Sequence, residues 1–231
     1  MSSVSTATDL DRVRALQARI SQMQRARVDT ASLATHPALT RLLPGGALQA
    51  GAAYSVTGST TLLTALLAGP SADGAWCGII GVPEFGAEAA GQLGVDLERL
   101  VMVPHPGEHW LSVTAALADA VTVVVTKPGG RVRDADAARL AARLRQRGAM
   151  LIALGDWPGA VARLTMTESV WSGLGRGHGY PRARMATVVS MGRDGSSGRR
   201  TRLWLPDDRG RFRPVSAAET PGMQHRLEAV S

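Results

Sequence analysis

Cysteine is almost absent. Cys77 stands alone in 231 residues, which rules out a disulfide framework and a thiolate cluster for zinc. Lysine is equally scarce: Lys127 is the single one, and the other basic residues are all arginine. No uncharged run approaches the roughly 18 residues of a membrane-spanning helix. The amino-terminal "MSSVSTATDLDRVRALQ" lacks the charged-then-apolar order of a secretory signal. The five histidines are scattered. These absences exclude a secreted disulfide scaffold, a zinc module and a helical membrane protein. They predict a cytoplasmic protein with no membrane partner.

What is present is a chain that is 45% apolar, long enough for one substantial α/β core with small appendages. Its net charge is +7, and the excess is concentrated. Between Arg176 and Arg213 ten arginines face only Asp194, Asp207 and Asp208, so the rest of the chain is neutral in sum. A concentrated basic stretch suits nucleic acid or an acidic protein partner. It equally suits a solvated hairpin with arginines outside. Arg182, Arg184, Arg199, Arg200 and Arg202 are the candidate phosphate contacts, predicting weak, sequence-independent DNA binding.

Residues 1–33 read as a helical arm. Thr8 and Asp11 form a capping box, and Leu10, Val13, Leu16, Ile20 and Met23 recur at spacings of three and four on one face. Two heptads are too few for an independent coiled coil, so the stripe must dock, either on its own domain or on a neighbouring subunit or partner helix. "THPALTRLLPGGALQAGAA" reads as a Gly/Pro-rich linker. Strands are then predicted at 52–56, 76–81, 100–103, 121–125 and 150–154, alternating with helices at 60–68, 84–93, 111–120 and 134–147. Such alternation implies a doubly wound, mainly parallel sheet. Past Pro158 come short strands at 168–172, 185–190 and 201–205, fitting antiparallel edge strands, and residues 214–231 read as a flexible tail. The core is thus expected over 34–213, with a basic hairpin at 176–213.

Within it, "SVTGSTTLLTALLAG" is a strand end, a glycine turn and a helix, the setting of a phosphate-binding loop. A working loop is G-x-x-x-x-G-K-[ST], whose backbone N–H groups cradle phosphates while the lysine reaches them. Gly58, Ser59, Thr60 and Thr61 are too few for it, with no second glycine and no lysine.

The order of segments resembles the RecA core over residues 42 to 205. "GALQAGAAYSVTGSTTLLTALLA" is similar to its opening strand, phosphate loop and helix. "CGIIGVPEFGAEAAGQLGVDLERLVMVPHPGEH" is similar to the next segment, where a strand ends near a catalytic glutamate, and "AVTVVVT" sits where the Walker B strand lies. That strand should end in an acid that orients Mg²⁺, but here it ends at Thr126, which leaves Glu84 without metal or phosphate clamp. The segments after Val125 and Leu154 are short where RecA has DNA-binding loops. The resemblance therefore implies a relic of a nucleotide site, a pseudo-ATPase with no cofactor.

A RecA-like core without working Walker motifs, an arginine-bearing amino-terminal helix and "LLPGGAL" before the first strand together resemble ImuA-type accessory proteins of the actinobacterial ImuA-prime branch. The resemblance implies a non-catalytic adaptor in damage-induced mutagenesis. It would support translesion synthesis with an ImuB-like Y-family polymerase relative and an error-prone C-family polymerase, associate with the nucleoid after DNA damage, and self-associate through its amino-terminal helix. A RecA-like cell-division inhibitor of the SulA type is the alternative. An enzyme is the third class: His105 and His109 lie four apart beside Glu108, but Pro104, Pro106 and Gly107 make this a turn with no third ligand. Of Trp76, Trp110, Trp157, Trp171 and Trp204, only Trp171 and Trp204 lie on the arginine-rich strands, where they are candidates for stacking single-stranded bases.

Overall fold

A computed structural model of the chain describes residues 32–174, 179–193, 195 and 198–219. The expected arm, with Leu10, Val13, Leu16, Ile20 and Met23, lies outside them apart from its last two residues. Those two, Ser32–Leu33 (β1), pair antiparallel with Leu48–Gln49 (β2) as a small separate sheet.

The main sheet has nine strands: Ala53–Thr57 (β3), Cys77–Ile80 (β4), Leu100–Val103 (β5), Val123–Thr126 (β6), Met150–Leu154 (β7), Ala162–Leu174 (β8), Gly179–Gly192 (β9), Arg199–Trp204 (β10) and Arg213–Pro214 (β11). Their order is β11-β10-β9-β8-β3-β7-β6-β4-β5. The six strands from β8 to β5 are mutually parallel, and β9, β10 and β11 extend the sheet antiparallel. Four helices connect the parallel strands: Thr60–Ala72 (α1), Ala87–Gln92 (α2), Trp110–Ala120 (α3) and Asp134–Arg147 (α4).

Period-two alternation assigns the layers. Tyr54, Val56, Val123, Val125, Met150 and Ile152 belong to one apolar cluster with α1 and α2. Their neighbours Ala53, Val124, Leu151 and Ala153 belong to the other, with α3 and α4. Strands buried on both faces carry no polar alternation, which is why β6 reads as a continuous valine run. At α4, Asp134 and Asp136 occupy the first turn, Arg145 and Arg147 the last, and Gly148 follows in the left-handed region. These signals complement the helix dipole and end the helix cleanly.

Two expectations are corrected. The Gly/Pro-rich leader is not a linker: Leu39, Leu42, Leu43 and Leu48 are fully buried in the first cluster. A Cβ on Gly69 of α1 would lie 2.6 Å from the His36 nitrogen and 2.8 Å from the Ala34 oxygen, so the leader crosses the helix at backbone contact. Residues 214–219 of the expected tail are tied to the sheet. Pro214 pairs with Leu203, the Val215 N–H donates to the Arg202 carbonyl, and Glu219 closes a bidentate ion pair with Arg213. No helix among the described residues is long and apolar enough to cross a membrane.

Candidate functional site

In open α/β sheets, ligands bind at the carboxyl ends of the parallel strands, where neighbouring connections leave to opposite faces. The connection from β3 to α1 is only Gly58 and Ser59. Gly58 turns the chain at φ +83°, and its missing side chain makes room for the Met166 carbonyl of β8. Ser59 caps α1, its hydroxyl accepting the Leu62 N–H at 3.1 Å. Thr57 Oγ1 meets Thr165 Oγ1 of β8 at 2.9 Å, tying the strand end sideways. Thr60 is exposed and Thr61 half-buried. The turn serves as a tight strand-to-helix joint, too short to wrap a phosphate chain.

Two strands away, the end of β6 is equally engaged. Thr126 is fully buried, and its hydroxyl lies 3.2 Å from that of Thr114. Thr114 in turn donates to the Trp110 carbonyl at 2.6 Å. Thr126 therefore fastens β6 to α3 from inside the protein. The next residue supplies the charge at this edge. Lys127 donates through Nζ to Glu84 Oε1 at 2.5 Å, spanning the ends of the adjacent strands β6 and β4. Its backbone N–H continues the ladder to the Ile80 carbonyl. The Lys127 bond holds the Glu84 carboxyl below its ordinary pKa. Sequence inspection singled out Glu84 but not its partner, although Lys127 is the chain's one lysine and directly follows the strand.

A cleft of about 690 Å³ opens at this edge where the connections after β6 and β7 meet, lined by Gly130, Arg131, Asp134, Asp156, Trp157 and Arg163. Arg163 and Asp156 pair across it at 3.3 Å. A second, of about 480 Å³, lies between α3 and α4 and includes His109, Glu108, Arg139 and Arg143. Beneath it Asp136 is buried and accepts from Arg133 and Arg139, which hold its carboxyl below its ordinary pKa. His109 ends a short turn and faces Glu108 at 3.8 Å. Among the described residues, no three His, Cys, Asp or Glu side chains group closely enough to hold a metal.

The register of β9 with its neighbours distributes four of the five candidate arginines over both faces of the sheet, because directly opposed residues share a face. Arg184 and Arg199 fall on one face, Arg200 and Arg202 on the other, and Arg182 lies in the irregular stretch between Gly179 and Ala183. Arg200 pairs with Glu168 at 3.2 Å, which also accepts from Thr187. The two tryptophans separate likewise. Trp171 stands opposite Arg184, whose guanidinium lies 5.4 Å from its ring. Trp204 stands opposite Met185 on the other face, beneath Arg213 at 5.5 Å. Arg213 is held by Glu219 and by the buried Asp207. Trp157 is buried against the edge of Trp110, and Trp76 is exposed. The exposed Tyr180 escaped the sequence reading, since nothing in a local pattern marks it.

Residues 41–159 match the model of the family described as the MT3502 N-terminal domain. Over 127 residues the chain is 39% identical to the uncharacterized protein Rv3395c of Mycobacterium tuberculosis (strain ATCC 25618 / H37Rv), across 53% of this chain and 62% of that protein. The chain thus spans less than two thirds of that relative's length. The matched residues run from the buried leader through β7 and take in the whole carboxyl edge formed by β3, β4, β6 and β7, leaving out the arginine-rich antiparallel strands. The chain belongs to the MT3502 N-terminal domain family.

Proposed function

We propose that this protein is a RecA-like adaptor without nucleotide chemistry, working in damage-induced mutagenesis beside an ImuB-like Y-family polymerase relative and an error-prone C-family polymerase. One observation carries the loss of chemistry. At the edge where nucleotide and metal would sit, three of the candidate side chains, Ser59, Thr126 and Glu84, already have protein partners. Ser59 caps its helix, Thr126 faces inward to Thr114, and Glu84 is neutralised by Lys127. A phosphate clamp requires free N–H groups and a free cation, and Mg²⁺ requires a free carboxylate. The turn after β3, residues 57–61, carries no cationic side chain, and β6 ends in Thr126 and not in a carboxylate. The adaptor role itself rests on the resemblance to ImuA-type proteins, and the neighbouring subunit or partner is expected at the amino-terminal stripe of Leu10, Val13, Leu16, Ile20 and Met23.

Two measurements on the full chain test the proposal. Thermal unfolding with Mg²⁺-ATP should match that without it, whereas a ligand at a hundredfold excess over its Kd stabilises by about 2.7 kcal/mol. An Mg²⁺-dependent rise would overturn the pseudo-ATPase reading. Affinity capture from damage-treated cells should retain the Y-family polymerase relative, and deletion of residues 1–28 should release it. Capture of a tubulin-like division protein instead would favour the SulA-type reading.

A further inference from the structure

The long β8–β9 hairpin outruns the sheet that supports it. β10 accompanies β9 from Arg199 opposite Ser190 only to Trp204 opposite Met185, and the last bonds to this side join Arg184 to Leu205 and Pro206. Beyond Arg184 the pairs Ser172 with Ala183 and Leu174 with Gly179 form a two-stranded ribbon with no third strand among the described residues. Such a ribbon gains little stability of its own, yet it displays two large rings, Tyr180 at 84% exposure and Trp171 at 41%.

From this ribbon we infer a binding site for single-stranded nucleic acid, in which bases stack on Trp171 and Tyr180 while Arg182 takes the backbone phosphate. The inference stands apart from the adaptor reading and does not depend on it. Three features point to this ligand. First, the ring of Trp171 is held in place: the Arg184 guanidinium lies 5.4 Å from it, and Arg184 Nη2 donates to Ser169 Oγ at 3.0 Å. A ring so fixed, with a cation beside it, is suited to stacking a π-system. Second, Arg182 is exposed and has no ion pair among the described residues, unlike Arg200, Arg211 and Arg213, which are held by Glu168, Asp207 and Glu219. Third, the chain carries no Asp or Glu from Ser169 through Arg193, so nothing on the ribbon repels a polyanion.

Gly173 shapes the surface. It lies at φ +92° in an irregularity of the pairing, and a Cβ there would fall 2.4 Å from the Tyr180 carbonyl and 3.0 Å from Arg182 Cγ. The Arg182 stem therefore lies across Gly173, two residues from Trp171 in the chain. Two ring faces favour single strands over duplex, because paired bases keep their faces stacked on each other and leave only edges and phosphates accessible.

Fluorescence anisotropy of the full chain with a labelled oligo(dT) probe, at several salt concentrations, tests the site. Tyr180→Ala should weaken binding about tenfold, and Tyr180→Phe, which keeps the ring, should restore it. Arg182→Ala should weaken binding and flatten the salt slope by about 0.7, the value for one phosphate on a single strand. Trp171→Phe should remove the tryptophan quenching that accompanies binding. Melting curves of these variants should overlay the parent, since the side chains are exposed. Equal affinity for duplex, displacement of the probe by polyglutamate as readily as by unlabelled oligo(dT), or an unchanged affinity of Tyr180→Ala would each overturn the proposal.

Discussion

Lys127, the only lysine in the chain, donates to Glu84 across the ends of two adjacent parallel strands, forty-three residues apart in sequence. Both side chains are about half exposed, at 45% and 46%. Exposed ion pairs contribute little to stability, so Lys127→Ala should leave the melting temperature nearly unchanged. Its signature is the Glu84 titration. Lys127 lowers that pKa, so the pair's contribution is present at neutral pH and fades as pH falls through the depressed value. Carbonyl-detected NMR should show the Glu84 titration moving up in Lys127→Ala, and the two proteins should converge in stability in acid. An unmoved Glu84 titration would mean that the contact is not formed in solution.

Reinstating an acid at the end of β6 should not rebuild a metal site. Thr126 is fully buried against Thr114, so Thr126→Asp places a carboxylate where no cation reaches it. A loss on the order of 3–5 kcal/mol is expected, with no recovery on adding Mg²⁺. Thr126→Val removes only one hydroxyl of the pair and should cost about 1 kcal/mol. Urea titrations of both variants, with and without Mg²⁺, separate the outcomes.

Asp207 organises the segment from Arg209 to Arg213. It is 1% exposed and accepts the N–H groups of Arg209 and Arg211 and the Arg213 guanidinium. Burial raises its pKa, but those hydrogen bonds outweigh it and the net shift is downward. A depressed carboxylate stabilises the fold above its unfolded pKa, and that stability is lost as pH falls through the folded value. Asp207→Asn should cost about 1–3 kcal/mol at neutral pH and show less acid sensitivity than the parent. Equal stability at pH 7 would place the carboxylate outside the fold's cooperative unit.

Gly69→Ala tests the leader. In an open helix, Gly→Ala gains about 1 kcal/mol. Here the new Cβ meets backbone of residues 34 to 36, and the substitution should cost about 1–3 kcal/mol instead. A stabilised variant would show that the leader leaves α1 in solution.

Cys77 reports on global opening. It is fully buried in β4, and burial pushes its thiol up to about 12. At neutral pH it should resist disulfide reagents in the folded protein and react at the rate at which the domain unfolds. Rapid labelling without denaturant would contradict the burial of β4 between β6 and β5.

The βα rhythm is legible in local signals alone. The predicted 100–103, 134–147 and 150–154 coincide with β5, α4 and β7, because valine runs, capping acids and terminal glycines act within a few residues of the chain. The leader was misread for the same local reason: its glycines and prolines mark turns, whereas the burial of Leu39, Leu42 and Leu43 depends on α1, which lies later in the chain. β8 and β9 run well beyond the predicted 168–172 and 185–190, since the register shifts near Thr167 and Gly173 interrupt the period of two that would have revealed their length. Which arginines share a face, the inward turn of Thr126 and the contact of Lys127 with Glu84 emerge only in three dimensions. Strand order and register set each of these, and both are fixed by pairing between segments far apart in sequence.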